Sequence, residues 1–152
     1  MACLIMLSIM FFRIPVPFTQ GFVHPGDGLI FFAVMVLGMK YAIPAAAIGA
    51  SAANIIVGYP FWAPWTFVIK GGMALIMGLY VSKIQKFRTI GMVLAGLWMT
   101  AGYCVAGRVI YGNWAVALIG VPWDIGQFTV GIVIAKALYA ALLKTPVGKR
   151  LF

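Results

Sequence analysis

The sequence predicts an all-α integral membrane protein: a compact bundle of six transmembrane helices, forming one domain over residues 1–152, with both termini in the cytoplasm. Hydrophobic residues make up 64% of the chain and charged residues 9%, whereas soluble domains carry about 25% charged residues. Nearly every apolar run is long enough to cross, or almost cross, a hydrocarbon core of about 30 Å. Basic residues separate these runs instead of forming one solvated stripe, so the formal charge of +9 does not indicate nucleic-acid binding.

The first three predicted segments are residues 1–12, 26–38 and 41–58. Arg13 and the prolines that follow it exclude regular helix, so an extended loop is expected up to Pro25. No basic residue precedes the first segment and no small-residue cleavage site follows it, so a cleaved signal peptide is not expected. The third segment is rich in Ala and Gly, which let helix backbones approach in a bilayer, and this predicts a central position.

The last three predicted segments are residues 66–81, 90–111 and 125–143. An aromatic stretch with two prolines and two tryptophans precedes the fourth segment and suits the membrane interface. A semi-apolar connection that includes Pro122 separates the fifth segment from the sixth. Asp124 is therefore expected to open the sixth segment.

Orientation follows from the distribution of Lys and Arg, because basic residues concentrate in cytoplasmic loops. The more basic side holds Lys40, Lys83, Lys86, Arg88, Lys144, Lys149 and Arg150, and the other side holds Arg13 and Arg108. The first set is therefore predicted to be cytoplasmic. The unusual polar and aromatic residues then fall on the outer side, which predicts a pocket open to the outside. They are Gln20, His24, Asp27, Asn54, Tyr59, Trp62, Trp65, Thr66, Asn113, Trp123, Asp124 and Gln127.

Lys70 and the two acids of the chain are the strongest candidates for ligand contact. Lys70 lies about one turn inside the fourth segment, where an isolated ammonium normally pairs with an acid or a ligand. Thr66 lies on the same helix face at i−4. Asp27 and Asp124, both expected at outer helix ends, are each a plausible partner for Lys70 or for a polar ligand. The alternatives are that each aspartate only caps a helix and that the lysine reaches the interface.

Amides and tryptophans complete the candidate substrate-binding set. Asn54 and Gln127 have the donors and acceptors to bind a heterocycle, although hydrogen bonding between helices is an equally good explanation. Trp62 and Trp123 suit stacking on a flat ring, and the alternative is that they anchor the chain at the interface. Gln20 in the first loop is the remaining candidate.

Catalysis is not indicated, because the sequence has no Ser/His/Asp set, paired carboxylates, HExxH motif or phosphate-binding glycine loop. Cys3 and Cys104 lie in apolar runs without metal-ligand spacing. His24 precedes Pro25 and is interpreted as a turn residue or a gate contact. We therefore expect neither enzyme activity nor a cofactor or metal site.

Five short stretches carry a resemblance to a known family through their order and spacing. They are Arg-Ile-Pro-Val-Pro at 13–17, Gly-Phe-Val-His-Pro-Gly-Asp at 21–27, Gly-Met-Lys-Tyr at 38–41, Tyr-Pro-Phe-Trp-Ala-Pro at 59–64 and Phe-Val-Ile-Lys-Gly at 67–71. With them the chain resembles the substrate-binding S components of energy-coupling-factor (ECF) vitamin transporters. It looks closest to the branch of riboflavin and hydroxymethylpyrimidine or pyridoxine carriers. The last two segments resemble that branch through hydropathy and the Trp-Asp…Gln pattern at 123–127.

The resemblance implies a multi-pass subunit in the plasma membrane of a prokaryote, in contact with lipid, that captures a water-soluble vitamin from outside. It also implies assembly with a transmembrane coupling protein (the T component) and two cytoplasmic ATPases. Substrate would lie between the first loop and the outer ends of helices four to six, with Lys70, Asp27, Asp124, Gln127 and Asn54 as its contacts.

The small number of charges favours a small neutral or zwitterionic ring, because a lone buried lysine offsets roughly one negative charge. We expect a pyridine or pyrimidine vitamin, either pyridoxine or hydroxymethylpyrimidine, with riboflavin as the alternative. A rival of another class is a stand-alone channel or secondary carrier, for which an internal repeat is expected and none is visible. A purely structural membrane subunit, without an outward pocket, is the third possibility.

Overall fold

The computed structural model describes residues 1–16, 22–81, 84–146 and 148. These residues form six α-helices: α1 (Ala2–Phe11), α2 (Gly26–Leu37), α3 (Met39–Ile56), α4 (Ala63–Leu79), α5 (Gln85–Tyr111) and α6 (Trp114–Lys144). A short antiparallel ladder pairs β1 (Ile14–Pro15) with β2 (Phe22–Val23), and a 3-10 turn covers Pro60–Trp62. The predicted all-helical architecture is therefore confirmed for the part of the chain described.

Successive helices from α3 to α6 run in alternating directions, as side-chain contacts at the two ends of the bundle demonstrate. At one end, Met39 at the start of α3 packs on Gly78 at the end of α4. At the opposite end, Asn54 of α3 contacts Thr66 in the first turns of α4, and Thr66 contacts Tyr103 of α5. Asn54 and Thr66, two of the residues predicted on the outer side, therefore lie at the same end of the bundle.

The outside of the bundle is apolar, as lipid contact requires. Phe11, Leu79 and Val133 are among its most exposed side chains, whereas alanines and methionines fill much of the core. Three stretches of the described chain are long and apolar enough to cross a membrane: Pro60–Leu79, Lys86–Tyr111 and Trp114–Lys144. α1 and α2 are apolar but shorter, with 10 and 12 residues. The protein is an all-α membrane protein, and six complete spans stay a prediction.

The start of α6 corrects the sequence prediction. The sixth segment was expected from residue 125, but α6 begins at Trp114 and continues through Pro122. Asn113 caps this earlier start, because its side chain accepts a hydrogen bond from the Ala115 backbone N–H at 2.8 Å. Neighbouring helices supply the support that lets a transmembrane helix tolerate proline. Asp124 therefore does not open the helix: it lies ten residues beyond Trp114, or about 15 Å along the axis.

The other boundaries differ less from the prediction. α4 begins at Ala63 instead of residue 66, because Pro64 fits the first turn of a helix, where no backbone donor is needed. α5 begins at Gln85 instead of residue 90. In the described part of the predicted loop, Ile14 pairs with Val23.

A close crossing of α2 and α6 positions the polar residues of the bundle. A Cβ atom added at Gly28 would lie 2.7 Å from the Ile134 side chain, and one added at Gly131 would lie 3.1 Å from the Asp27 Cβ. Only glycine allows backbones this close, as in other membrane helix pairs. The crossing brings Asp27 on α2 within reach of Gln127 on α6.

Candidate functional site

A cavity of about 80 Å³ lies at the predicted outer end of the bundle. The first loop, the end of α3, the Pro60–Trp62 turn and the facing parts of α4, α5 and α6 enclose it. Small residues of α6, including Ala117 and Gly120, leave the space open on one side. The polar side chains of its wall include His24, Asn54, Thr66, Tyr103, Asp124 and Gln127.

A buried ion pair lies behind this cavity. Lys70 donates to Asp27, and both side chains are completely buried. The Lys70 ammonium also lies 3.0 Å from the Met99 sulfur and 5.4 Å from the centre of the Tyr103 ring. Gln127 Nε2 donates to the second Asp27 carboxylate oxygen at 2.7 Å. The predicted pairing of Lys70 with an acid is confirmed, and Asp27 is that acid.

Pairing with Asp27 limits how Lys70 is able to interact with a ligand in the cavity. Neither Lys70 nor Asp27 lines the cavity. Because Asp27 compensates the ammonium charge, Lys70 offers the cavity no free positive charge. Replacing either partner would leave an uncompensated charge in the core, which is strongly destabilising.

Gln127 links the ion pair to the first loop. Its Oε1 accepts a hydrogen bond from the His24 backbone N–H at 3.0 Å, while its Nε2 holds Asp27. The His24 ring is buried, and its Nδ1 accepts a hydrogen bond from the Gly26 backbone N–H at 3.1 Å. The pKa of His24 is lowered to about 3, mainly by burial and then by the Lys70 charge, while Asp27 partly opposes this. His24 is therefore neutral, with its proton on Nε2.

A second polar row crosses the bundle from α3 to α5. Asn54 Nδ2 donates to the Thr66 hydroxyl at 2.6 Å, and the hydroxyls of Thr66 and Tyr103 share a hydrogen bond of 3.2 Å. Asn54 and Thr66 are both buried. Asn54 therefore connects two helices, as one of its two candidate roles requires, and it also lines the cavity.

Trp62 forms an aromatic wall of the cavity. Its ring meets the rings of Tyr103 and Tyr111 edge-on, with centroids 5.8 Å and 6.0 Å away. Its indole Nε1 is buried and has no hydrogen-bond partner. A buried donor without a partner is costly, so this N–H is available for a ligand.

Asp124 lines the cavity and Trp123 does not. Adjacent residues of a helix point about 100° apart, and Trp123 lies 41% exposed in a separate apolar groove beside Arg13 and Pro122. Trp123 is therefore not a wall of this cavity, contrary to the stacking role expected from sequence. Gln20 lies outside the described residues.

Sequence reasoning missed three residues of this region: Met99, Tyr103 and Tyr111. Met99 and Tyr103 lie four residues apart on α5 and so share a face. Such a spacing in an apolar helix ordinarily marks core packing, so it gave little signal before the position of Lys70 was known. Tyr111, at the end of α5, had an equally weak signal.

Comparison with known proteins gives three likenesses. The family described as "ECF-type riboflavin transporter, S component" matches residues 1–144. An uncharacterised protein of Pyrococcus woesei is 34% identical over 144 residues, which cover 93% of this chain and 95% of that protein. The thiamine precursor transporter HmpT of Lactococcus lactis subsp. cremoris (strain MG1363) is 27% identical over 135 residues, covering 88% of this chain and 78% of HmpT.

Proposed function

Since this chain belongs to the family of ECF-type riboflavin transporter S components, which are substrate-binding subunits of vitamin transporters, we propose that its own substrate is a small pyrimidine of the hydroxymethylpyrimidine type. The substrate is captured from outside the plasma membrane of a prokaryote. A transmembrane coupling protein and two ATPases then drive its release inward. The likeness to HmpT, named as a thiamine precursor transporter, supports a pyrimidine over pyridoxine.

The size of the cavity is the observation that carries this proposal. A cavity of about 150 Å³ accommodates a benzene ring, and the cavity in this bundle measures about 80 Å³. A single ring therefore requires a modest outward movement of the walls. The three fused rings and the side chain of riboflavin require a far larger one.

The lining also suits a polar ring. The Trp62 and Tyr103 rings provide aromatic surface, and small-molecule sites combine such walls with a few directed polar groups. Those groups are the Trp62 N–H, the Asp124 carboxylate and the polar row of Asn54, Thr66 and Tyr103. An apolar channel or a purely structural subunit has no need for this set.

Riboflavin is the second candidate, and the description of the matching family favours it. It shares the requirement for aromatic walls and polar contacts. Binding it would require the first loop to move away from α6, which means breaking the hydrogen bond between His24 and Gln127.

Calorimetric titration of the detergent-purified protein against a vitamin panel tests the proposal. The panel holds hydroxymethylpyrimidine, pyridoxine, riboflavin, thiamine, pantothenate and biotin. We expect saturable high-affinity binding of hydroxymethylpyrimidine and at least about 100-fold weaker binding of riboflavin, a difference of about 2.7 kcal/mol. Tighter binding of riboflavin would support the second candidate. Silence across the panel, with cooperative thermal unfolding as proof of folding, would favour a channel or a structural subunit.

A further inference from the structure

We propose that the cavity selects its ligand by hydrogen-bond pattern: the ligand presents a donor group to Asp124 and an acceptor to the Trp62 N–H. The edge of an amino-substituted nitrogen heterocycle has this pattern. The inference rests on the proposed function and makes it more specific, because it states which face of a pyrimidine is recognised.

The charged groups around the cavity largely compensate each other. Lys70 and Asp27 compensate each other and lie behind the wall. His24 is neutral because its pKa is lowered to about 3. Among the described residues that line the cavity, Asp124 is then the one that carries a carboxyl group. The sequence analysis had instead placed Lys70 among the ligand contacts, and Lys70 does not line the cavity.

Asp124 lies well inside α6, and its carboxyl group lacks a partner among the described residues. It lies about 15 Å along α6 from the first residue of that helix. Within the described chain its carboxylate has neither a hydrogen bond nor an ion pair. A carboxyl group between apolar helices is costly unless it has a partner. A ligand with a donor group supplies that partner.

Small residues of α6 leave space beside the Asp124 carboxylate. Gly120 lies one turn before Asp124, and a Cβ atom added there would lie 4.0 Å from Asp124 Oδ2. Gly120 and Ala117 both line the cavity, so small side chains leave one flank of the carboxylate open. A flat ring is able to approach from this flank.

Trp62 contributes an independent observation. The residue is 9% exposed, and its Nε1 donor has no partner although it is buried in the wall of the same cavity. The two unpaired groups have opposite character, because an indole N–H only donates and a carboxylate only accepts. A ligand that satisfies both must carry a donor and an acceptor.

A 4-aminopyrimidine carries both groups. Its exocyclic amine donates to the carboxylate, and a proton on the adjacent ring nitrogen would give a second, parallel hydrogen bond. The hydroxymethyl oxygen or the other ring nitrogen accepts from Trp62. The 4-oxo analogue presents an oxygen where the amine was, and that oxygen faces the carboxylate without a hydrogen bond.

The test compares two ligands of the same ring, 4-amino- and 4-oxo-5-hydroxymethyl-2-methylpyrimidine, by calorimetry with the purified protein in detergent. We expect the wild-type protein to bind the amino form about 10–100-fold more tightly, as the loss of one charge-assisted hydrogen bond predicts. In the Asp124→Asn variant this preference should fall to within about 3-fold, because the amide binds either form.

Two tryptophan variants complete the design. Trp62→Phe keeps an aromatic wall but removes the donor, so the affinity for both ligands should fall by a similar factor. Trp98→Phe is the matched control, since Trp98 donates its indole N–H to the Ile69 carbonyl at 3.1 Å and does not line the cavity. It should leave both affinities unchanged.

The outcomes separate the inference from the proposed function. Equal wild-type binding of both pyrimidines would overturn the inference and leave the pyrimidine function standing; this comparison requires no variant. An undiminished preference in Asp124→Asn would also overturn it. Binding of neither pyrimidine would overturn the proposed function together with the inference.

Discussion

Lys70 illustrates how one residue organises the interior of this bundle. Its ammonium is compensated by Asp27, which Gln127 also holds, and Gln127 in turn fixes the His24 backbone of the first loop. A buried pair of this kind adds little net stability over apolar residues, but the loss of one partner is costly. Its contribution is to hold α2, α4 and α6 in one relative position.

Replacing Lys70 with methionine should therefore destabilise the protein by about 3–5 kcal/mol, because Asp27 would be left as an unpaired charge in the core. Thermal unfolding in detergent measures the effect. The double variant Lys70→Met/Asp27→Asn should recover part of the loss. Lys86→Met, at an exposed position, is the control and should change stability by less than about 0.5 kcal/mol. An equal midpoint for Lys70→Met and wild type would contradict the structural role.

His24 should make stability depend on pH. Burial, and then the nearby Lys70 charge, lower its pKa from 6.5 to about 3 in the folded protein. Between these values the unfolded chain binds a proton that the folded protein excludes, so stability is complete above pH 6.5 and declines as the pH falls toward 3. The slope is at most about 1.4 kcal/mol per pH unit.

Unfolding midpoints between pH 7.5 and 5 test this dependence. The matched variant is His24→Asn, whose side-chain oxygen is able to replace Nδ1 as the acceptor for the Gly26 N–H. Its midpoint should decline less with acidification than that of the wild type. Identical pH profiles for the two proteins would assign the dependence to other groups.

At the scale of elements, the crossing of α2 and α6 depends on glycine. Gly28→Ala should destabilise the protein by about 1–3 kcal/mol, because the added methyl meets Ile134 at 2.7 Å and a backbone oxygen at 3.1 Å. Gly126→Ala on α6 is the control: nothing lies within 4 Å of the added atom, and alanine favours a helix. The midpoint of thermal unfolding should fall for Gly28→Ala and rise slightly for Gly126→Ala. A similar midpoint for both would show that the helices separate freely.

Helix existence was predictable from the sequence, whereas the course of α6 was not. Apolar runs and basic breaks identified all six helices, and the need of Lys70 for an acid pointed to one of two aspartates. Pro122 was interpreted as a break, although packed membrane helices continue through proline. That one error placed Asp124 at a helix end. Met99 and Tyr103 gave little signal, because their role depends on how α4 and α5 pack.

At the scale of the whole molecule, the orientation in the membrane stays a prediction that labelling is able to test. With Cys3 and Cys104 replaced by serine, a cysteine at Phe61 should react with a membrane-impermeant maleimide on intact cells, because this exposed residue lies at the predicted outer end. A cysteine at Lys144 should react only after the cells are opened. The reverse pattern would invert the topology and place the cavity on the cytoplasmic side.

The length of α6 has a consequence for the lipid around the protein. Its 31 residues extend about 46 Å, and a hydrocarbon core is only about 30 Å thick. A helix with this much hydrophobic mismatch tilts or thickens the bilayer next to it. Because α6 carries both Asp124 and Gln127, any change of tilt also moves the cavity wall. The acyl-chain length of the surrounding lipid should therefore influence ligand binding. Ligand affinity measured in nanodiscs should differ between short-chain and long-chain phospholipids. Equal affinities would show that the bundle absorbs the mismatch elsewhere.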